Sequence, residues 1–287
     1  MSSVAHGMPV LDIDQSEPAV ATGRPFLVKS MPGFGAIATV MFVFLYAPIV
    51  LLVVYSFNSS RSVSVWESFS LHWYQTAFAN EQLKDVALRS LFIACIAGLI
   101  ATTVATMAAI ATTRTRSFRG MMGIYGLVNM PLMVPEIVTG MALLICFAQI
   151  RIATDYYGIG YLLAAHTAFC IPFAYLPIRA RLEGMDLTLE RAAADLYATP
   201  WKTFRRVTMP LLWPGIIAGL MLAFVVSLDD VVITEFVKSA GQDTLPTFML
   251  GQLRRETTPE VNAIATLFFL ASVVLVTLFF FLNRRKA

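Results

Sequence analysis

The sequence predicts an all-α, multi-pass membrane protein with six transmembrane helices, and three observations predict it. Hydrophobic residues are 57% of the 287-residue chain and charged residues 14%, where soluble domains average about 25% charged. Three stretches, Gly33 to Phe57, Ser90 to Thr113 and Val261 to Asn283, contain no Asp, Glu, Lys, Arg or His. Each exceeds the ~20 apolar residues that cross a bilayer as a helix, and none shows the ~10-residue alternating pattern of a barrel strand.

The elements follow in order. Residues 1–32 are polar and proline-bearing, and read as a disordered tail. Because no apolar core begins before Gly33, this tail does not read as a cleavable leader. The first span is 33–57. The segment up to Arg89 carries Trp66, Trp73 and Tyr74, suited to the aromatic belt of a membrane interface. Spans two and three are 90–113 and 120–147. Pro131 and Pro135 bend the third, and Glu136 interrupts it. The fourth, 156–178, holds His166; the fifth, 211–237, holds Asp229, Asp230 and Glu235; the sixth is 261–283. Residues 33–283 form one domain of six helices, and 284–287 a short tail.

Placing the N-terminus in the cytoplasm puts fourteen of the 21 Lys and Arg residues inside and seven outside. The positive-inside rule therefore puts both termini in the cytoplasm. The basic residues sit at membrane edges, so the balance carries no nucleic-acid reading. Cys95, Cys146 and Cys170 all fall within spans and read as small buried apolar residues.

Residues 179–210 are different: long, not apolar enough to span, and patterned. Leu189, Ala192, Ala193, Leu196 and Tyr197 recur at helical spacing, with Glu190, Arg191 and Asp195 opposite. Thr199-Pro200 is a cap-and-restart signal. It predicts a second short helix from Pro200 to about Val207 that displays Trp201, Phe204 and Arg205 and is closed by Met209-Pro210. Two readings are open here: a helix pair lying on lipid, or one filling a groove on a soluble partner.

The chain has no GxxxxGK[ST] phosphate loop, HExxH, CxxC or GxSxG. No catalytic residue, metal site or cofactor is expected, and any ATP must be hydrolysed elsewhere.

Carboxylates within a span cost about 2.5–3.5 kcal/mol each on insertion scales and mark cavities or partners. Asp229 and Asp230 point ~100° apart on a helix, and Ser227, Asp230 and Thr234 share one polar face. At ~1.5 Å per residue from Leu211 the pair lies beyond the midplane, toward the outside. Acidic groups in a passage lower the barrier to a cationic substrate; the alternative is a carboxylate that caps a helix break or pairs with a neighbouring chain. Glu136 is either a cavity-lining acid at the proline bend or bonded to backbone freed by it. His166 reads as a packing residue rather than a proton relay. Gly215 to Gly219 is a GxxxG that permits close helix packing.

The stretch LERAAADLYATPWKTFRRVTMPLL, Leu189 to Leu212, resembles the "EAA" loop of type I ABC-importer permeases. Arg191 stands at the acidic position of that pattern, with Glu190 beside it. Ala192 and Ala193 match, and Tyr197 takes the glycine position, where a side chain forbids a tight turn or close approach. Further likeness lies in SLFIACIAGLIATTVATMAAIATTR, NMPLMVPEIVTGMALL, HTAFCIPFAYLPIRARLEGMD and SLDDVVITEFV, the last similar to spermidine/putrescine permeases of the second subunit type.

The resemblance covers about Gly33 to Leu282. It implies a permease in the bacterial inner membrane that forms half of a pore with a second permease, above two ATP-binding subunits and below a periplasmic binding protein. Glu190, Arg191, Ala192, Ala193, Asp195, Tyr197, Pro200, Trp201 and Phe204 are then expected at the ATPase. Glu136, Ser227, Asp229, Asp230 and Thr234 are expected along the substrate passage. Another cargo in the same family (an amino-phosphonate, an opine, iron) and a cation-coupled secondary transporter are the competing readings. The sequence shows no clear internal repeat to favour the latter.

Overall fold

The computed structural model describes residues 33–60, 65–115, 118–255 and 259–284. The expected N-terminal tail, residues 285–287, Arg61 and Arg116 lie outside them. The described residues are helical, apart from loops and one isolated antiparallel bridge, Asn58 to Phe69. Six helices are long and apolar enough to cross a membrane.

The chain divides into two units, residues 1–48 and 49–287. The first contains the start of α1 (Phe34–Tyr55), where Phe42 and Tyr46 stack one turn apart with ring centroids at 6.2 Å.

In the second unit, α2 (His72–Ala79) lies within the predicted aromatic segment, where Tyr74 Oη meets Ser56 Oγ at 2.6 Å. Asn80 caps α3 (Glu81–Thr113) by accepting the Leu83 N–H at 3.2 Å. The helix therefore begins nine residues before the apolar run, with polar first turns beyond it. Ala94, Ala97, Ala101, Ala105 and Ala109 form one fully buried ridge along α3. It packs against α6 (Gly160–Glu183) and α9 (Met209–Asp229), and these three helices make the core. In lipid, helix association comes from close packing and interhelical bonds rather than hydrophobicity, and small residues permit it. The GxxxG glycines serve this approach. A Cβ at Gly219 would lie 2.7 Å from the Ala174 carbonyl oxygen, and one at Gly215 would lie 2.7 Å from Arg181 Cβ.

Two predicted spans are interrupted. The stretch 120–147 is not one bent helix but α4 (Met121–Met133) and α5 (Glu136–Thr154). Val134 is extended ahead of Pro135, as the proline ring requires of the residue before it. Span five also ends early. Asp230 is extended at φ −65°, ψ 130°, and α10 (Val232–Val237) restarts beyond it. Past it lies α11 (Leu245–Arg255), between predicted spans five and six, and then α12 (Pro259–Arg284).

The loop between α6 and α9 contains α7 (Thr188–Asp195) and α8 (Pro200–Thr203), the latter capped by the Thr199 side chain. Met209-Pro210 does not close this second helix. A π-helical segment, Phe204–Thr208, carries it straight into α9. The proline ring of residue 210 meets the carbonyl four residues back, and the wider π turn absorbs that conflict without ending the helix.

Candidate functional site

The polar centre of the second unit is built around His166 on α6, which is 1% exposed. Its Nδ1 lies 2.8 Å from Ser227 Oγ on α9, and its Nε2 lies 2.9 Å from Thr234 Oγ1 on α10. Asp230 sits at the break between those helices. Its carboxylate accepts the N–H groups of Ile233 and Thr234 at 3.2 and 2.8 Å, and the Thr234 hydroxyl at 2.7 Å. These are N-cap bonds that satisfy donors left free where a helix restarts. Thr234 has one hydroxyl proton and gives it to Asp230. Its oxygen must therefore accept from His166, which makes Nε2 a donor. Asp230 Oδ2 lies 3.5 Å from the same nitrogen.

Ser227, Asp230 and Thr234 thus do come together, though not along one face of an unbroken helix. All three are buried, and their polar atoms turn toward His166 and one another. Asp229 and Glu136 behave differently. Asp229 is exposed at the end of α9, Glu136 half-buried at the start of α5. Both line an open cleft of about 370 Å³, together with Phe169, Val225 and Asp230. The helix break therefore puts one carboxylate into a buried network and its neighbour beside open space.

The second candidate surface is the α7–α8 loop. Leu196 is 81% exposed, Tyr197 96% and Trp201 67%, so large apolar side chains project from one side. Ala192, Arg191, Asp195 and Pro200 are also exposed, Ala193 and Phe204 half-buried. Trp201 and Phe204 stack at 5.6 Å. Glu190 faces the opposite way. Its carboxylate accepts the Thr208 hydroxyl at 2.9 Å and pairs with Arg114 Nε at 3.5 Å. Arg114 Nη2 also donates to the Leu182 carbonyl at 3.0 Å, which joins the ends of α3 and α6 to α7. Tyr197 does not forbid the turn expected of a glycine. It adopts that turn itself, at φ 56°, with its side chain 96% exposed. The cost of a left-handed non-glycine residue is about 1–2 kcal/mol.

Sequence reasoning assigned no role here to Arg114 or Thr208 and saw His166 only as a packing residue. Arg114 was read as a membrane-edge charge, a sufficient reason for it on its own. Of the cysteines, Cys170 is buried as expected, but Cys95 and Cys146 are exposed on α3 and α5. Among the described residues no three metal-ligating side chains cluster.

The family described as the binding-protein-dependent transport system inner membrane component matches residues 101–286. The chain belongs to this permease family. The permease is 38% identical over 229 residues to the putrescine transport system permease protein PotI of Escherichia coli K12, covering 79% of this chain and 82% of that one. It is 37% identical over 247 residues to the spermidine/putrescine transport system permease protein PotC of Haemophilus influenzae, covering 86% and 95%. The permease superposes on a chain of a bacterial ABC transporter involved in alginate import with a TM-score of 0.70 at 15% identity, over 88% of this chain and 94% of that one. On a chain of the MetNI methionine transporter the TM-score is 0.59 at 14% identity, over 72% and 99%. These likenesses establish the fold. Six apolar helices and family membership make it an inner-membrane transport permease, not an enzyme.

Proposed function

We propose that this permease imports small polyamines, putrescine or spermidine, as one half of the pore of an ATP-driven importer. The observation that carries the reading is the cleft at the α9–α10 break, where Asp229 and Glu136 line one open space. A cation crossing lipid needs its charge offset, and carboxylates lining one cleft do so without binding so tightly as to trap it. The names of the relatives, putrescine and spermidine/putrescine permeases, supply the cargo class. Ser227 and Thr234 shape the passage from behind rather than touching the cargo, and Asp230, which also lines the cleft, is held by the cap of α10.

In this reading ATP is hydrolysed by two ATP-binding subunits. They dock against the exposed face of α7 and α8 through Ala192, Leu196, Tyr197 and Trp201, with Arg191, Asp195 and Pro200 at the rim. Ala193 and Phe204 back that face, and Glu190 anchors it from behind. A second permease completes the pore, and a periplasmic binding protein delivers the cargo. Both termini are cytoplasmic, by the distribution of basic residues. The permease domain is 33–283.

The test is labelled putrescine uptake into liposomes that hold the full complex and its binding protein. Uptake that requires ATP and falls on Ala193→Glu supports the importer and the docking loop together. Uptake driven by an ion gradient without ATP overturns the importer reading. ATPase activity without putrescine or spermidine uptake leaves the importer and discards the polyamine.

A further inference from the structure

We infer that His166, which does not line the cleft, is a positioning residue that fixes the two cleft carboxylates, Glu136 and Asp229, relative to one another. The inference rests on the passage reading above and adds to it a residue that never meets the cargo.

The two carboxylates sit on separate elements, Asp229 at the last residue of α9 and Glu136 at the first of α5. The element joining them is α10, which packs against both α5 and α6. At Asp230 the helix stops, and the backbone bonds that would hold α9 and α10 in line stop with it. His166 replaces them. One ring nitrogen is bonded to Ser227, the last buried polar residue of α9, and the other to Thr234 in the middle of α10. A rigid imidazole held from α6 thus spans the break.

The far side of α10 carries the position onward. Phe236 lies against Gly140, where an added Cβ would meet the ring at 2.8 Å. Gly140 is one turn along α5 from Glu136. Movement of α10 therefore moves the start of α5, and with it the second carboxylate. All the polar partners of the ring lie at this break, Ser227 and Thr234 within hydrogen-bond distance and Asp230 Oδ2 at 3.5 Å from Nε2, and the ring does not line the cleft.

The experiment is a double-mutant cycle in liposomes that hold the whole complex, read as putrescine uptake turnover at saturating loaded binding protein. His166→Ala leaves two hydroxyls without their partner, so His166→Gln, whose amide still reaches one of them, is carried alongside. Because residues acting on one another are non-additive, we expect His166→Ala to slow uptake about tenfold alone but less than about twofold once Glu136→Gln is present. His166→Gln is expected to recover at least about half of the loss, as a partly satisfied pair should. Equal fold-losses on both backgrounds overturn the inference.

A second readout does not depend on the cargo. Spin labels at Ile145 on α5 and Leu222 on α9, both exposed, report the placement of the two helices. A distance distribution that broadens in His166→Ala supports the inference, and an unchanged one overturns it. If Glu136→Gln alone leaves uptake normal, the passage reading fails by itself, and the label distances still decide whether His166 sets the break.

Discussion

Arg114 and Glu190 form an ion pair, with 3.5 Å between Nε and Oε1, that ties the C-terminal end of α3 to the loop helix α7. Both side chains are mostly buried, and the Thr208 hydroxyl donates to the same carboxylate oxygen. Removing one partner of such a pair costs more than the pair contributes, because the other charge is left uncompensated. Glu190→Ala should therefore uncouple the loop. Uptake should fall by about tenfold or more, the equivalent of ~1.4 kcal/mol, while basal ATPase activity stays within about twofold. Arg114→Ala should do the same, and the double variant should be little worse than either. Additive losses would show that the two act separately.

Gly219 admits no side chain, since the Ala174 carbonyl stands 2.7 Å from where a Cβ would lie. The obstacle is backbone, so the helices must separate. Gly219→Ala should destabilise by about 1–3 kcal/mol, as overpacking does. Gly126, with nothing within 4 Å, is the control: Gly126→Ala should leave the thermal midpoint of the purified protein unchanged or slightly higher. Equal midpoints for the two variants would refute close α6–α9 packing.

Asp229→Asn and Glu136→Gln remove cleft charge; the Glu136 side chain also lies against the Asp230 carboxylate, so its amide variant changes that contact as well. Each should slow polyamine uptake several-fold, with the complex still assembled. Asp230→Asn differs in kind. It weakens the cap of α10, so it should lower the thermal midpoint as well, by an amount reflecting about 1 kcal/mol. Normal uptake by the first two variants would leave their carboxylates without a transport role.

Tyr197 separates strain from docking. Its left-handed backbone favours glycine, and its ring is 96% exposed. Tyr197→Gly should therefore leave the free permease as stable or stabilise it by up to about 1 kcal/mol. In the complex, recovery of the ATP-binding subunits on co-purification should drop if the ring is a contact. Undiminished recovery would remove Tyr197 from the docking face.

Lys238, just beyond α10, is half-buried between Glu235 at 2.6 Å and Asp243 at 2.7 Å. Burial alone lowers its pKa, but bonds to Asp243 and then Glu235 outweigh it and raise the pKa above the ordinary 10.5. A raised folded pKa adds stability that is fully present below about 10.5 and is lost as pH rises through the folded value. Stability of the protein should decline across that alkaline window, and Lys238→Met should flatten the decline. Identical pH profiles for the two proteins would show that the triad contributes nothing.

Local composition alone shows six stretches apolar enough to cross a membrane, and six helices of that length and apolarity form, because partition into lipid sums over ~20 residues. The sequence by itself also determined the amphipathic α7, from spacing within two turns, the cap at Thr199, and the capacity of Gly215 and Gly219 for close approach. The tertiary structure alone decided what those pieces do to one another. His166 finds its partners 61 and 68 residues away, and Arg114 finds Glu190 across two intervening spans. Nothing in local spacing selects such pairs. Asp229 and Asp230, adjacent and chemically identical, take opposite roles because the helix breaks between them and only one carboxylate is turned toward the free N–H groups of α10. The partners that meet at that break, Ser227 on α9, Thr234 on α10 and His166 on α6, come together only through the packing of three helices.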